Sequence, residues 1–199
     1  MNVALRLPAP RLPIISREQF LDWVQRQEGR FEFDGFRPVA MTGGTRGHNA
    51  IVLNIHLTLR AALRSTGFFV LALDAGLATA TAGVRYPDVL VTSSRGTPSD
   101  LLIDDVLVVF EVISPGSSRT DRVVKLREYL GVPTLRRYVV VEQTSAAVCV
   151  FEKNGDGSAW EASALVAGET LDLPEIGIQV PVSDFYTDVD LPDEPAADP

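Results

Sequence analysis

Hydrophobic residues recur at helical spacing in two segments of the N-terminal half of the chain. Ser16 and Gln19 have the spacing of a capping box and precede a short apolar run, which predicts an amphipathic helix that ends near Gly29. In segment 48–63, apolar residues again fall three or four positions apart, which predicts a second helix that Gly67 stops. Both predicted helices have one apolar face, so each is expected to pack on another element.

The remaining apolar runs have the length and composition of strands. Phe31–Phe33 and Arg37–Met41 flank Asp34-Gly35, a pair typical of a hairpin turn. Segments 86–92 and 106–113 are nearly continuous apolar runs with one acid each, as expected for central strands buried on both faces. Further strands are predicted at 68–73, 76–80, Arg137–Glu142 and Ala147–Lys153, with weaker ones that end near Val182 and a helix from Asp121 to Leu130. The pattern predicts one mixed α/β (α+β) domain.

We expect that domain to occupy residues 16–187, between a Pro-rich lead at 1–15 and an acidic tail at 188–199 whose composition is typical of disorder. The lead has three prolines and no helical apolar core, which argues against a signal peptide. No apolar stretch approaches the roughly 18 residues that a membrane helix needs. Cys149 is the only cysteine, so an internal disulfide and a cysteine zinc cluster are excluded, and we expect a protein of the reducing cytoplasm.

The net charge of −8 is unevenly distributed along the chain. Residues 1–70 carry nine arginines against five acids, residues 71–140 carry eight charges of each sign, and residues 141–199 carry one lysine against thirteen acids. The N-terminal part is therefore mildly basic, and the acidic end masks it. No segment forms the dense basic stripe that tight, salt-dependent DNA binding requires, which counts against a nucleic-acid enzyme without excluding one.

One of only two lysines, Lys125, follows Glu111 by fourteen residues in a chain with sixteen arginines. Asp88 lies upstream, in the run R-Y-P-D-V-L-V. Lysine offers a compact charge with a tunable pKa, and Mg²⁺ typically takes one or two carboxylates. An Asp, a Glu on a strand and a nearby Lys form a minimal set for metal-dependent phosphodiester cleavage. The alternatives are a turn carboxylate at Asp88 and an ordinary surface pair between Lys125 and Asp121; Glu111 is costly to bury without a partner.

Three other polar residues have less specific patterns. Glu32 alternates with Phe31 and Phe33, which favours a solvent-facing strand position over a third acid beside a metal. His48 follows the loop G-G-T-R-G, where amides could meet a phosphate, although a surface or capping role is expected from spacing alone. His56 is expected to have a packing role. The loop lacks the Lys-Ser/Thr ending of a P-loop, so no nucleotide cofactor is expected.

Several motifs resemble those of one family when they are taken in order. They are E-x-D-G from Glu32, Y-P-D-V, E-V-I-S-P, D-R-x-x-K-x-x-x-Y, P-x-L-R-x-Y-V-V-V-E-Q and G-I-x-x-P-V-S-D-F. The order resembles the Uma-type restriction endonuclease family of the PD-(D/E)XK superfamily, over roughly Ser16 to Tyr186. The resemblance implies a restriction-endonuclease-like fold, a central mixed sheet flanked by helices. In the superfamily pattern a lysine stands two residues after the second acid, where this chain has Ile113.

The resemblance also implies roles for individual residues. It casts Glu32, Asp88, Glu111 and Lys125 as the site, with Asp88, Glu111 and the backbone carbonyl of Val112 holding Mg²⁺ or Mn²⁺. Lys125 would orient the water or stabilise developing charge, and Glu32 would be an auxiliary ligand or base. Apart from the resemblance, His48 and Asp121 are further candidates for supporting the ligands or contacting substrate. We expect DNA and a second copy of the chain as partners, and no membrane. The rival interpretations are a non-catalytic DNA- or protein-binding module and a scaffolding protein.

Overall fold

A computed structural model describes residues 14–113 and 119–192, with the backbone alone for residues 119–122. The helices are α1 (Arg17–Val24), α2 (Arg46–Ala62) and α3 (Arg119–Leu130). The strands are β1 (Phe31–Phe33), β2 (Pro38–Ala40), β3 (Phe69–Ala72), β4 (Leu77–Ala78), β5 (Val84–Arg85), β6 (Val89–Thr92), β7 (Val106–Ile113), β8 (Arg137–Glu142), β9 (Ala147–Lys153), β10 (Trp160–Val166), β11 (Thr170–Leu173) and β12 (Ile178–Pro181). A 3-10 helix, Val182–Tyr186, follows. No helix of the described residues has the length and apolar character to cross a membrane.

A six-stranded sheet in the order β10-β9-β8-β7-β6-β3 forms the centre of the fold. Only β7 and β8 are parallel in it, and the other neighbouring pairs are antiparallel. A parallel pair needs a crossover connection, and α3 lies between β7 and β8 in the chain. A smaller sheet in the order β2-β1-β5-β4 stands beside it, and β11 and β12 form a separate pair. This is the mixed α+β architecture that the sequence pattern predicts.

The alternation of side chains along β7 divides the core into two layers. Val108, Phe110 and Val112 belong to a cluster with the buried face of α2 and the 3-10 helix. Val109 belongs instead to the cluster that contains Tyr129 of α3. Successive strand residues point to opposite faces, so Glu111 shares the α3 side with Val109.

Helix α1 packs on the smaller sheet through a separate apolar cluster that contains Phe20, Phe33 and Val84. Its buried Phe20 stacks on Phe33 with ring centroids 4.9 Å apart and planes 15° from parallel. The predicted capping box is confirmed, since Gln19 donates its amide to the Ser16 hydroxyl and accepts from the Ser16 amide. The turn at Asp34 is also confirmed, because its carboxylate accepts two backbone N–H groups and Gly35 adopts a φ of +96°. Strand β1, which carries Glu32, is thereby held against α1.

Several boundaries differ from the prediction, including the end of α1 at Val24 instead of near Gly29 and the start of α3 at Arg119 instead of Asp121. Segment 86–92 is a strand only over Val89–Thr92: β5 ends at Arg85 in the smaller sheet and β6 begins at Val89 in the larger, so the chain changes sheets over 86–88. Pro87 lies at this break, and proline lacks the N–H that a central strand requires. Helix α2 begins at Arg46 with Thr45 as its N-cap, so the predicted start at residue 48 is wrong. The strand predicted at 76–80 is limited to Leu77–Ala78.

Parts of two predicted segments are outside the described residues. Residues 1–13 of the predicted lead and 193–199 of the predicted tail belong to this group. The predicted domain limits at 16 and 187 therefore stay predictions.

Candidate active site

The chain reversal between β6 and β7 brings two of the predicted acids to the same end of the large sheet. Val89 pairs with Phe110 in the antiparallel register. Asp88 is one residue before Val89 and Glu111 is one residue after Phe110, so both acids lie one step further towards that end. Helix α3 and strand β1 then bring Lys125 and Glu32 to the same place.

Asp88 is held by two groups at its two oxygens. Its Oδ2 accepts the backbone N–H of Val112 at 2.8 Å, and its Oδ1 lies 3.1 Å from Nε2 of His48. The side chains of His48 and Asp88 are both mostly buried. The hydrogen bond with Asp88 raises the pKa of His48 most, burial opposes the rise, and the charges of Asp88 and Glu111 add to it. His48 therefore lies in the site, and the surface or capping role expected from spacing alone is wrong.

The N-terminal turn of α2 fixes the other side of the His48 ring. The Thr45 hydroxyl caps the helix by accepting the backbone N–H of His48 and donates to Oε1 of Gln143 at 2.9 Å. The Gln143 amide nitrogen lies 3.5 Å from Nδ1 of His48. A side chain at Gly44 would place its Cβ only 2.5 Å from the same ring. The loop geometry thus orients the imidazole towards Asp88.

Glu111 lies deeper, and burial is the main influence on its charge. Tyr129 donates its hydroxyl to Oε1 at 2.6 Å, and Nζ of Lys125 lies 3.6 Å from the same oxygen. Burial raises the pKa of Glu111 to about 7; Lys125 opposes this rise, and the charge of Asp88 adds to it. Burial also raises the pKa of Tyr129 well above its usual range, so the phenol stays protonated and donates.

Glu32 is buried and bridges two cations. Its Oε1 lies 3.3 Å from Nζ of Lys125, and its Oε2 accepts from Arg85 at 2.8 Å. Arg85 also donates to Glu128 at 2.6 Å, and its side chain is 5% exposed. Burial lowers the pKa of Arg85, but the hydrogen bond with Glu128 and the charge of Glu32 outweigh it, so the guanidinium stays charged. The solvent-facing position that alternation favours for Glu32 is therefore wrong, because β1 is covered on that face.

The charges of this cluster do not balance. Four carboxylates, Glu32, Asp88, Glu111 and Glu128, share the cluster with the cationic side chains of Arg85 and Lys125. Two negative charges remain if His48 is neutral, and the charge of Asp88 adds to the rise that burial causes in the pKa of Glu111. A divalent cation would remove it.

The donor set fits a hard cation that keeps much of its water. Within the described residues, no three or more His, Cys, Asp or Glu side chains form a group that could hold a metal ion. A metal at Asp88 and Glu111 would therefore have two carboxylates, backbone oxygen and water as ligands, as Mg²⁺ commonly does. The contact between Val112 and Asp88 uses the Val112 N–H, so the predicted ligation by the Val112 carbonyl stays a prediction.

A cleft with a volume of about 700 Å³ is lined by five of these residues, Glu32, His48, Asp88, Glu111 and Lys125. Loop 42–45 and strand β2 form one side, and the ends of β7, β8 and β9 form the other. The side chain of Asp121 is outside the described residues, so its predicted role stays a prediction. His56 does not line the cleft; it is half-buried, and burial lowers its pKa.

Sequence reasoning missed Arg85, Glu128 and Tyr129. The last two had a detectable signal, because they follow Lys125 by three and four residues and so share its helix face. Arg85 had none, since its partners lie 53 and 43 residues away in the chain.

Comparison with known proteins places the chain in context. Residues 17–183 match the model of the Uma2 family, described as "Putative restriction endonuclease". Two uncharacterised proteins of Synechocystis sp. are similar: slr1290, 30% identical over 90% of this chain and 95% of its own, and sll1609, 22% identical over 72% and 83%. A crystal structure titled as a putative nuclease belonging to DUF820 from Anabaena variabilis superposes with a TM-score of 0.69, covering 87% of this chain and 98% of that one. Its 14% identity shows a shared fold alone.

Proposed function

The chain belongs to the Uma2 family, and on that premise we propose that it is a metal-dependent endonuclease that hydrolyses phosphodiester bonds of DNA. The family and the fold support a nuclease-like function at the coarse level. One observation carries the finer proposal. Two carboxylates and a lysine converge in one cleft with an excess of negative charge, and the pKa of Glu111 is raised to about 7.

Asp88 and Glu111, with the carbonyl of Val112, would hold Mg²⁺ or Mn²⁺. When bound, such an ion neutralises phosphate charge and lowers the pKa of its water. The Val112 N–H and His48 restrain both oxygens of Asp88, while Tyr129 restrains Glu111, so neither carboxylate needs to reorganise during the reaction.

Lys125 would act on the water or on the phosphate. Its ammonium lies 3.3 Å from Glu32 and 3.6 Å from Glu111, so the two acids hold it at the mouth of the site. There it orients the attacking water or stabilises charge that develops on a phosphate oxygen. Glu32, fixed by Arg85, positions Lys125 and is the auxiliary base.

The proposal includes a cytoplasmic location and a homodimer. A second candidate is a binding module that keeps the fold without turnover. The observation in its favour is the net charge of −8 without a dense basic segment, because duplex DNA binding normally needs many Lys and Arg contacts.

The two lysines of the chain provide a matched test. Lys125→Met removes the ammonium from the site, whereas Lys153→Met removes the other lysine, which contacts the Pro133 carbonyl and the Trp160 ring. Nicking of supercoiled plasmid is measured with Mn²⁺, with Mg²⁺ and with EDTA, and circular dichroism checks folding.

We expect nicking by the parent and by Lys153→Met, a loss of about 10²-fold or more in Lys125→Met, and none in EDTA. Folded protein that nicks no DNA with either metal supports the binding module. Equal nicking by both variants contradicts the role of Lys125.

A further inference from the structure

The cleft continues past the carboxylates over an apolar surface that the proposed chemistry does not use. Glu111 on β7 pairs with Val140 on β8, and Val140 pairs with Cys149 on β9, so the three side chains form one row across the sheet. Phe151 lies on the same face of β9, two residues after Cys149. We call Val140, Cys149 and Phe151 the apolar floor; each lines the cleft and is partly exposed.

The floor has the position and size for one nucleotide unit beside the reacting phosphate. Adjacent strands are about 4.8 Å apart, so Cys149 is roughly 10 Å from Glu111 along the row. The base and sugar of one nucleotide span such a distance. The cleft volume of about 700 Å³ is in the range of sites that enclose a small molecule.

The charges that line the cleft disfavour a rigid duplex. A protein that binds duplex DNA through roughly six to ten phosphates neutralises them with Lys and Arg side chains. The described residues that line this cleft include two basic side chains, Arg30 and Lys125. Arg30 already forms an ion pair with Asp74 at 2.8 Å. Proteins that bind single strands also use a positively charged groove, and they add stacking contacts with the flat faces of bases, which do not depend on charge.

We infer that the cleft takes an unpaired nucleotide, with the base on the apolar floor and the adjacent phosphate at Lys125. The substrate is then single-stranded nucleic acid, or a duplex locally opened at the scissile position. This inference rests on the proposed function, since it takes the reacting phosphate to lie at Asp88 and Glu111. The cost of unpairing would favour frayed or single-stranded sites over intact duplex.

Cys149 provides the first test, because it is the only cysteine and lies in the middle of the floor. The probe is the rate at which N-ethylmaleimide modifies this thiol at pH 8.5, followed by intact mass. Ca²⁺ replaces Mg²⁺ or Mn²⁺ so that a divalent ion can neutralise the carboxylates, and the oligomers are checked for integrity on the same samples. Burial raises the pKa of Cys149, so the alkaline buffer is needed for a measurable rate. The ligands are oligothymidylate, oligouridylate and a hairpin duplex of equal nucleotide content.

We expect saturating single strands to slow the modification at least tenfold and the hairpin to have little effect. Protection by oligothymidylate alone assigns the floor to DNA, and protection by both oligomers extends it to RNA. Equal protection by the hairpin, or protection by no oligomer, overturns the inference. If no oligomer protects Cys149, the apolar floor would instead be interpreted as a surface for a protein partner.

A filled floor provides the second test. Cys149→Phe occupies the row beside Val140, whereas Ser163→Phe adds the same bulk on the opposite face of β10, outside the cleft. We expect Cys149→Phe to raise KM for single-stranded substrate at least tenfold while its affinity for Mn²⁺ is unchanged, and Ser163→Phe to match the parent. If Cys149→Phe has parental KM, the inference fails while the nuclease proposal stands. If Cys149 is protected but the parent cleaves nothing, the floor stands and the nuclease proposal fails.

Discussion

Glu111→Gln tests whether burial, rather than the nearby lysine, controls the charge of this carboxyl. Glutamine has nearly the same shape and keeps an oxygen that can accept from Tyr129. It cannot carry a negative charge, so the cost of burying the carboxylate disappears. The variant should therefore be more stable than the parent at alkaline pH, although it removes a contact with Lys125.

The sign and size of the effect follow from the pKa of Glu111, which burial raises from 4.5 to about 7 despite the attraction of Lys125. Between these two values the folded state holds a proton that the unfolded state has lost, so folding stability falls as the pH rises. The penalty is absent below pH 4.5 and complete above pH 7. At 1.36 kcal/mol per pKa unit, it reaches at most about 3 kcal/mol.

The assay is urea unfolding in EDTA at pH 5 and pH 8 for the parent, Glu111→Gln and Glu161→Gln. Glu161 is an exposed carboxylate on β10 and serves as the control. The stability of Glu111→Gln relative to the parent should increase between pH 5 and pH 8 by a few kcal/mol at most, and that of Glu161→Gln should not. A constant or decreasing difference for Glu111→Gln would show that Lys125 dominates over burial.

Three further predictions concern the groups around this centre. Arg85→Met removes one of the two cations beside buried Glu32 and the Arg85 contact of buried Glu128, and should cost roughly 3–5 kcal/mol in urea unfolding. Arg30→Met, at an exposed ion pair, should cost under about 1 kcal/mol. In ¹H NMR titrations, His48 should have a pKa above 6.5 and His56 one below it; the reverse order would contradict the His48 contact. Gly44→Val should push the imidazole aside and bring the pKa of His48 back towards 6.5, and an unchanged titration would show that the loop gives way instead.

The central strands were predictable because their patterns have a single physical cause. Segments 106–113 and 137–142 are nearly continuous apolar runs, and the structure confirms them as β7 and β8 with the predicted limits. Burial on both faces leaves few places for polar residues, so the limits are sharp. Segment 86–92 failed because Pro87 allows the chain to change sheets, and a hydrophobic run does not indicate which sheet a residue joins.

Some residues of the candidate site could be singled out from the sequence, whereas the residues that contact them could not. Sequence reasoning singled out Asp88, Glu111 and Lys125 by residue type and spacing, and the structure brings them to one cleft. Alternation suggested an exposed Glu32, because it cannot show that α3 and the Arg85 side chain of the same sheet cover that face. The pairing with Arg85 joins residues 53 apart, and only the fold determines such pairs.

The central claim is that Asp88 and Glu111 hold a divalent metal that the cleavage reaction requires. The most direct test is calorimetric titration of Mn²⁺ into the parent and into Asp88→Asn, with plasmid nicking measured on the same samples. The account predicts that the parent binds Mn²⁺ and nicks DNA, and that Asp88→Asn, still folded by circular dichroism, loses both. No binding by the parent, or equal binding and nicking by the two proteins, would contradict it.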